Sequence, residues 1–230
     1  HDLLTRGIDA NGELRPPQAE APHLYKPSPL GWIPKEWGAS TVAAHFRVDS
    51  GITLGPHRVP RSSGYPYLRV ANVHRSRLDL NDVARLEASS LERVAKALRF
   101  GDLLIVEGHA STEEIGRCAL VTHEADGMLF QNHLFRLRAN SLVPKFALLW
   151  LNSPFVRSYW RSEAATSSGL NTINRMKLNR LGVAVPPGPE QEEIAACAVA
   201  ADIKLTAEEL ALAKLQRQKS ALMDDLLTGR

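Results

Sequence analysis

At 230 residues, 44% hydrophobic and with a net charge of +3, the chain has room for one packed domain and an extra element. No apolar run approaches the roughly 18 residues of a membrane span, and none reads as a secretory signal. Cys118 and Cys197 are the only cysteines, with no CxxC or His cluster beside them, which argues against a disulfide framework or metal site and for a reducing cytoplasm.

Charge is unevenly spread. Residues 51–78 hold five arginines (Arg58, Arg61, Arg69, Arg75, Arg77) and no acid, and residues 131–187 hold eight Lys or Arg against Glu163 alone. Residues 189–230 reverse this, with eight acids and five bases. Clustered arginine on a folded body suits phosphate binding, although a solvated basic face has the same composition.

The chain opens on Asp2-Leu3-Leu4-Thr5 and nearly closes on Asp225-Leu226-Leu227-Thr228. Four matching residues are weak on their own, but their place at both extremes suggests one unit of a longer repeat. Beginning at His1 rather than Met, the chain reads as a piece of something longer or as a natural half-length protein. Residues 8–30 are rich in Pro, Gly, Ala and charge without an apolar period, and read as a linker. In GWIPKEW, Trp32, Ile33 and Trp37 should pin the chain to a domain edge.

Residues 51–67 form the first candidate binding loop. Its glycines permit close backbone approach, and His57, Arg58 and Arg61 offer contacts to phosphate and guanine, with Arg75 and Arg77 following. Tyr67 to Val73 has the content of a strand, in which Tyr65 and Tyr67 suit packing and Arg69 a buried ion pair. Ser89 to Glu92 is a capping box, and Leu91, Val94, Ala95 and Leu98 follow at helical spacing. Asp102 closes a turn before the apolar strand Leu103 to Val106.

The second candidate loop is 108–116, where His109, Ser111 and Thr112 could meet base edges. Strands are expected at Ile115 to Thr122 and Met128 to Arg138, the latter broken by Gln131, Asn132 and His133, which either face a groove or end the strand. Pro144 begins a helix carrying Phe146, Leu149 and Trp150, and Pro154 restarts it. In the third loop, 165–177, Asn171 and Asn174 suit adenine, and Arg175 and Lys177 suit phosphate. Each of these residues alone reads equally well as solvated loop; the three loops together on a basic body point to DNA. A last short strand spans Leu181 to Val185. Strands and helices interleave without a regular βαβ period, which predicts an α+β fold.

The end of the chain differs. Pro189 and three acids open a helix with no Gly or Pro from residue 190 to 228. Ile194, Ala198, Ala201, Leu205, Glu208, Leu212, Leu215, Lys219, Leu222 and Leu226 step by alternating four and three, and only Glu208 and Lys219 break the apolar stripe. Such a helix runs roughly 57 Å, too long for a small domain to cover. The stripe predicts a coiled coil against another long helix.

The order LLTRG, GWIPKEW, YPYLRVANV, FGDLLI, IGRCALV, FQNHLFRLR, VAVPPGPEQEEIA and a long helix ending LMDDLLTGR resembles the specificity subunit of type I restriction-modification systems, over nearly the whole chain. The resemblance implies two target-recognition domains separated by antiparallel long helices, each domain reading half of a split DNA sequence. The helices space the halves and dock the modification subunits, and through that complex the restriction subunit. The chain would be the second half: a helix stub and linker (1–30), one recognition domain (31–187) and the C-terminal helix (188–230). It would be non-catalytic, need no cofactor, and either pair with a second copy through its helix or depend on modification subunits.

Rival readings are a coiled-coil adaptor whose basic body binds RNA or acidic protein, and a self-contained nuclease using Asp102, Glu107 and His109. In the latter the carboxylates are only five apart and His stands where such sites need Lys. A methyltransferase lacks support, since neither a Gly-rich cofactor loop nor an Asn/Asp-Pro-Pro-aromatic motif is present.

Overall fold

A computed structural model describes residues 2–60, 62–111, 113–163 and 171–229, the side chains of Asn171 and Asp225 excepted. In chain order the strands are β1 (Tyr25–Ser28), β2 (Gly31–Pro34), β3 (Gly38–Thr41), β4 (Phe46–Ser50), β5 (Tyr65–Leu68), β6 (Val73–His74), β7 (Arg77–Leu78) and β8 (Ala84–Leu86). They continue as β9 (Leu103–Val106), β10 (Gly108–His109), β11 (Cys118–Leu120), β12 (Leu129–Phe130), β13 (Leu134–Ala139), β14 (Asn171–Thr172) and β15 (Gly182–Val185). The helices are α1 (Val42–His45), α2 (Ser90–Lys96), α3 (Pro144–Leu151), α4 (Pro154–Glu163), α5 (Arg175–Arg180) and α6 (Gly188–Thr228).

The centre is an antiparallel sheet in the order β11-β9-β13-β4. Its strand β9 reads Leu-Leu-Ile-Val because both faces are covered, so alternation has no polar side to show. Leu103 and Ile105 face one core with Phe146, Trp150, Val156 and Trp160 from α3 and α4. Leu104 and Val106 face the other, with Leu68, Val73, Leu98 and Phe130. A small mixed sheet, β12-β5-β8, closes that second side.

Among the described residues, buried charges are paired. Arg136 in β13 is almost fully buried, yet it meets Asp49 at 2.7 Å and donates to the carbonyl of Ala97 at 2.8 Å. Arg138 holds Asp102, whose Oδ2 also accepts the Arg99 amide at 2.8 Å, so this Asp closes the turn as its place after Gly101 predicts.

Several expectations need correction. The capping box forms at Ser89 and Glu92, but Leu91 and Val94 are each 83% exposed, because the seven-residue α2 turns that face outward. The strand expected from Tyr67 to Val73 ends at Leu68 and gives way to a 3-10 turn at Val70–Asn72. There Arg69 pairs with Asp82 at 2.7 Å on the surface. Residues 8–30, read as linker, are built into the body: Ile8 is buried, β1 pairs with β2, and the Tyr25 hydroxyl donates to the carbonyl of Pro16. Trp37 is fully buried and Ile33 nearly so, while Trp32 is 53% exposed.

Of the 41 residues of α6, only the first turns touch the body. Glu190 takes Arg15 bidentately and the Ile8 amide at 2.9 Å. Gln191 accepts the Val143 amide and donates to the carbonyl of Pro186, each at 2.9 Å. Ile194 and Ala195 are buried. Beyond Ala200 the described side chains are exposed apart from Ala213, including Leu205, Leu212, Leu215, Leu222 and Leu226. Ile194, expected at the head of the seam, belongs instead to the core of the body. Ala198 is half-buried beside it, so the open stripe starts at Ala201.

The two similar ends of the chain each run into a glycine of positive φ. The Arg6 amide bonds to the carbonyl of Asp2, and the turn closes at Gly7 with φ +65°. At the other end α6 closes at Gly229 with φ +71°. The first follows a three-residue 3-10 turn and the second ends a 41-residue helix, so the shared residues stand in different elements. At Gly7 no side chain fits, since a Cβ would lie 2.2 Å from a Glu190 carboxylate oxygen.

Candidate nucleic-acid interface

At one end of the central sheet, β4 and β9 finish while β13 and β11 begin. The first two candidate loops leave from this end, the described part of the third reaches it through β14 and Ile173, and backbone hydrogen bonds continue the ladder among them. The Asn132 amide donates to the Ile52 carbonyl at 3.0 Å, Glu107 to His133 at 3.0 Å, and Ile173 to Glu107 at 2.7 Å. Beyond these, β10 pairs antiparallel with β14, setting Gly108 opposite Thr172 and His109 opposite Asn171. Two segments some sixty residues apart thereby become neighbours, and the polar break Gln131-Asn132-His133 lies between them and the first loop. His133 meets Glu107 at 3.2 Å with its ring largely exposed.

The predicted residues divide into those that face outward and those consumed by the fold. His57 and Ser111 are exposed, and His109 is half-buried. His109 Nδ1 accepts the Ser111 amide at 3.0 Å, and Ser111 Oγ accepts the Glu113 amide at 3.2 Å, so the second loop is internally braced. Arg61, Thr112 and residues 164–170 lie outside the described residues, as does the side chain of Asn171.

Arg58, expected on phosphate, is engaged within the fold. It grips Glu92 through both terminal nitrogens and also donates to the carbonyl of Glu87 at 3.2 Å, tying the 3-10 turn Pro56–Arg58 to the start of α2. The guanidinium of Arg58 and the capping bonds of Ser89 hold the Glu92 carboxyl down at about 2. Arg75 is also structural: it donates to the Glu113 carbonyl at 2.6 Å and to Asn152 Oδ1 at 3.2 Å. Arg77 is exposed but lines a groove of about 330 Å³ with Leu149 of α3 and Val199 and Asp202 of α6.

Asn174, expected to read adenine, is the N-cap of α5, its Oδ1 accepting the Lys177 amide at 2.8 Å. Arg175 donates to the Val48 carbonyl on the open edge of β4, and Lys177 donates to the Glu163 carbonyl, though Arg175 stays exposed.

Sequence reasoning missed one group. Glu113 in the second loop receives Arg157 at 2.7 Å and Arg161 through two bonds of 3.0 Å, both from α4. Those hydrogen bonds, that of Arg161 foremost, hold the Glu113 carboxyl down at about 2. The i, i+4 spacing of the two arginines on a helix was the available signal. The carboxylates of the nuclease reading are occupied too, Asp102 by Arg138 and Glu107 by His133. Among the described residues no group of three or more His, Cys, Asp or Glu could hold a metal ion.

No protein-family model matches the chain. In sequence it is 26% identical over 209 residues to a putative type I restriction enzyme MjaX specificity subunit from Methanocaldococcus jannaschii, covering 89% of this chain and 48% of the relative. It is 27% identical over 167 residues to the type I restriction enzyme StySPI specificity subunit from Salmonella potsdam, covering 72% of this chain and 35% of the relative. In fold it matches a chain from a structure on complex assembly and conformational transition of the type I R-M system, with TM-score 0.62 and 19% identity over 90% of this chain and 50% of that one. It also matches the HsdS subunit from Thermoanaerobacter tengcongensis, with TM-score 0.60 and 19% identity over 90% of this chain and 48% of that one. The chain thus spans half or less of the length of each relative. In sequence and in fold, this chain is similar to one half of a type I restriction enzyme specificity subunit.

Proposed function

We propose that the chain is a non-catalytic DNA recognition unit that reads one half of a bipartite target for a type I restriction-modification complex. The observation that carries this reading is the β10–β14 pairing, which gathers loops from distant parts of a basic chain at one end of a rigid sheet. That arrangement suits base reading, since specificity needs several side chains held in fixed register while arginine and lysine supply attraction to phosphate. His109, Ser111, His133 and the loop before α5 are the base-facing candidates; His57 and Arg175 flank them.

In the same reading α6 is the assembly element. Its open stripe from Ala201 to Leu226 docks a DNA methyltransferase subunit, through which the restriction subunit joins, or pairs with a second copy of this chain. Glu208 and Lys219 interrupt the stripe and set its register. No cofactor is required of this chain. No helix among the described residues is long and apolar enough to cross a membrane, and the cytoplasm is the proposed place of work.

Selection from a pool of randomised duplexes at fixed, stated salt tests the DNA reading. Enrichment of one short motif supports it. Equal retention of RNA and of all duplexes supports the adaptor alternative instead, and cutting of DNA with magnesium and purified protein contradicts a non-catalytic role.

A further inference from the structure

The second loop is held from two sides. On one side β10 hydrogen-bonds to β14. On the other Glu113 ties it to α4, its carboxylate accepting three hydrogen bonds from Arg157 and Arg161, while Glu114 pairs with Arg117 at the base of the loop. The loop backbone is caught at the same residue, where Arg75 donates to the Glu113 carbonyl at 2.6 Å. Just downstream, Gly116 has φ +68° and lies so close to Trp160 of α4 that a Cβ there would sit 2.4 Å from the indole. Isolated exposed ion pairs contribute little, but a bidentate guanidinium within a network is the exception. Here one carboxylate joins two turns of a helix packed in the core to the loop that carries His109 and Ser111. Helix α4 runs directly into residues 164–170 and then β14, so it borders both of the paired loops.

We infer that Glu113 is a positioning residue for target reading: by clamping the 108–116 loop to α4 it sets the place of His109 and Ser111 at the recognition face, without itself touching a base. This rests on the DNA reading above and names the group on which its specificity depends. A base contact is lost when its donor shifts by a fraction of an ångström, whereas attraction to phosphate tolerates such a shift.

The test uses the whole chain and its Glu113→Gln variant in two arms. Without DNA, amide exchange should speed up at residues 108–111 and 171–173 in the variant while β9 and β13 stay protected; unchanged exchange overturns the clamp. With DNA, the duplex enriched from the randomised pool by the parent should bind the variant about tenfold more weakly, the scale of one base-pair contact. Binding to random duplex should hold or rise, because two arginines are released. Unchanged preference for the enriched duplex overturns the inference, and so does a parallel loss on enriched and random DNA. If the parent enriches no motif, the DNA reading itself fails and the inference with it, whatever the exchange arm reports. Arg161→Gln cuts the same clamp from the α4 side and serves if Glu113→Gln does not fold.

Discussion

The body of the protein and the outer part of α6 solve the problem of stability in opposite ways. In the body, apolar faces are covered on both sides of the central sheet, and the buried charges Arg136 and Asp102 each have a partner. In the outer helix, Leu205, Leu212, Leu215, Leu222 and Leu226 stand more than half exposed with nothing against them. An amphipathic helix of that length draws most of its stability from whatever covers its stripe. The comparison teaches that one chain holds a region that covers its own apolar surface beside another that leaves its stripe open.

Four substitutions break or sharpen that contrast. The largest effect belongs to Trp160→Ala, which empties a core site next to Gly116 and Tyr159. It should destabilise the body by about 3–5 kcal/mol in denaturant titration, with the outer helix unaffected where both transitions are resolved. Next is Glu190→Ala, which leaves buried Arg15 only the more distant Glu36 carboxylate at 3.9 Å; a loss of about 3 kcal/mol is expected, together with faster amide exchange around Ile8 and Gln191.

A smaller effect is expected of Arg58→Gln. The Glu92 carboxyl is lowered from its ordinary 4.5 to about 2, so the pair's contribution is complete above pH 4.5 and is lost as pH falls toward 2. The pair is partly exposed, so the loss at neutral pH should stay below about 1 kcal/mol. The gap between variant and parent should close at the acid end of a stability-versus-pH curve. Because this guanidinium is already engaged, the salt slope of DNA binding should not change, and a slope lower by about one unit would put Arg58 on phosphate after all. Smallest for the body is Leu212→Asp, within about 0.5 kcal/mol for an exposed position. Yet it should abolish concentration-dependent association in light scattering if the stripe is a contact surface. A parent chain that stays monomeric at every concentration with full helical content would remove the need for a partner.

The contrast also explains what could be read from the sequence. The long helix was legible because a four-three spacing over ten positions has no other physical meaning, and β9 because a doubly covered strand has no polar residues. The six-residue α5 and the β10–β14 pair were not, since neither is long enough to show a period and their pairing spans some sixty residues. Residues 8–30 read as linker because, Ile8 apart, much of what anchors them is polar, Arg15 to Glu190 and Tyr25 to Pro16, and hydropathy carries no trace of such ties. At the interface the residue types were legible but their employment was not. Arg58, Arg75 and Asn174 have the chemistry of DNA contacts, and only their neighbours show that the fold already uses it.

The polar ties at the root of α6 have a mechanical meaning. A helix of 41 residues is a lever about 60 Å long, and rotation by one degree at its base moves its tip by about 1 Å. Glu190 and Gln191 therefore act as the bearing of that lever, and the tolerance of their hydrogen bonds fixes the aim of everything carried at the far end. Loosening them would scatter the tip over many ångströms while leaving every residue of the outer helix as it was.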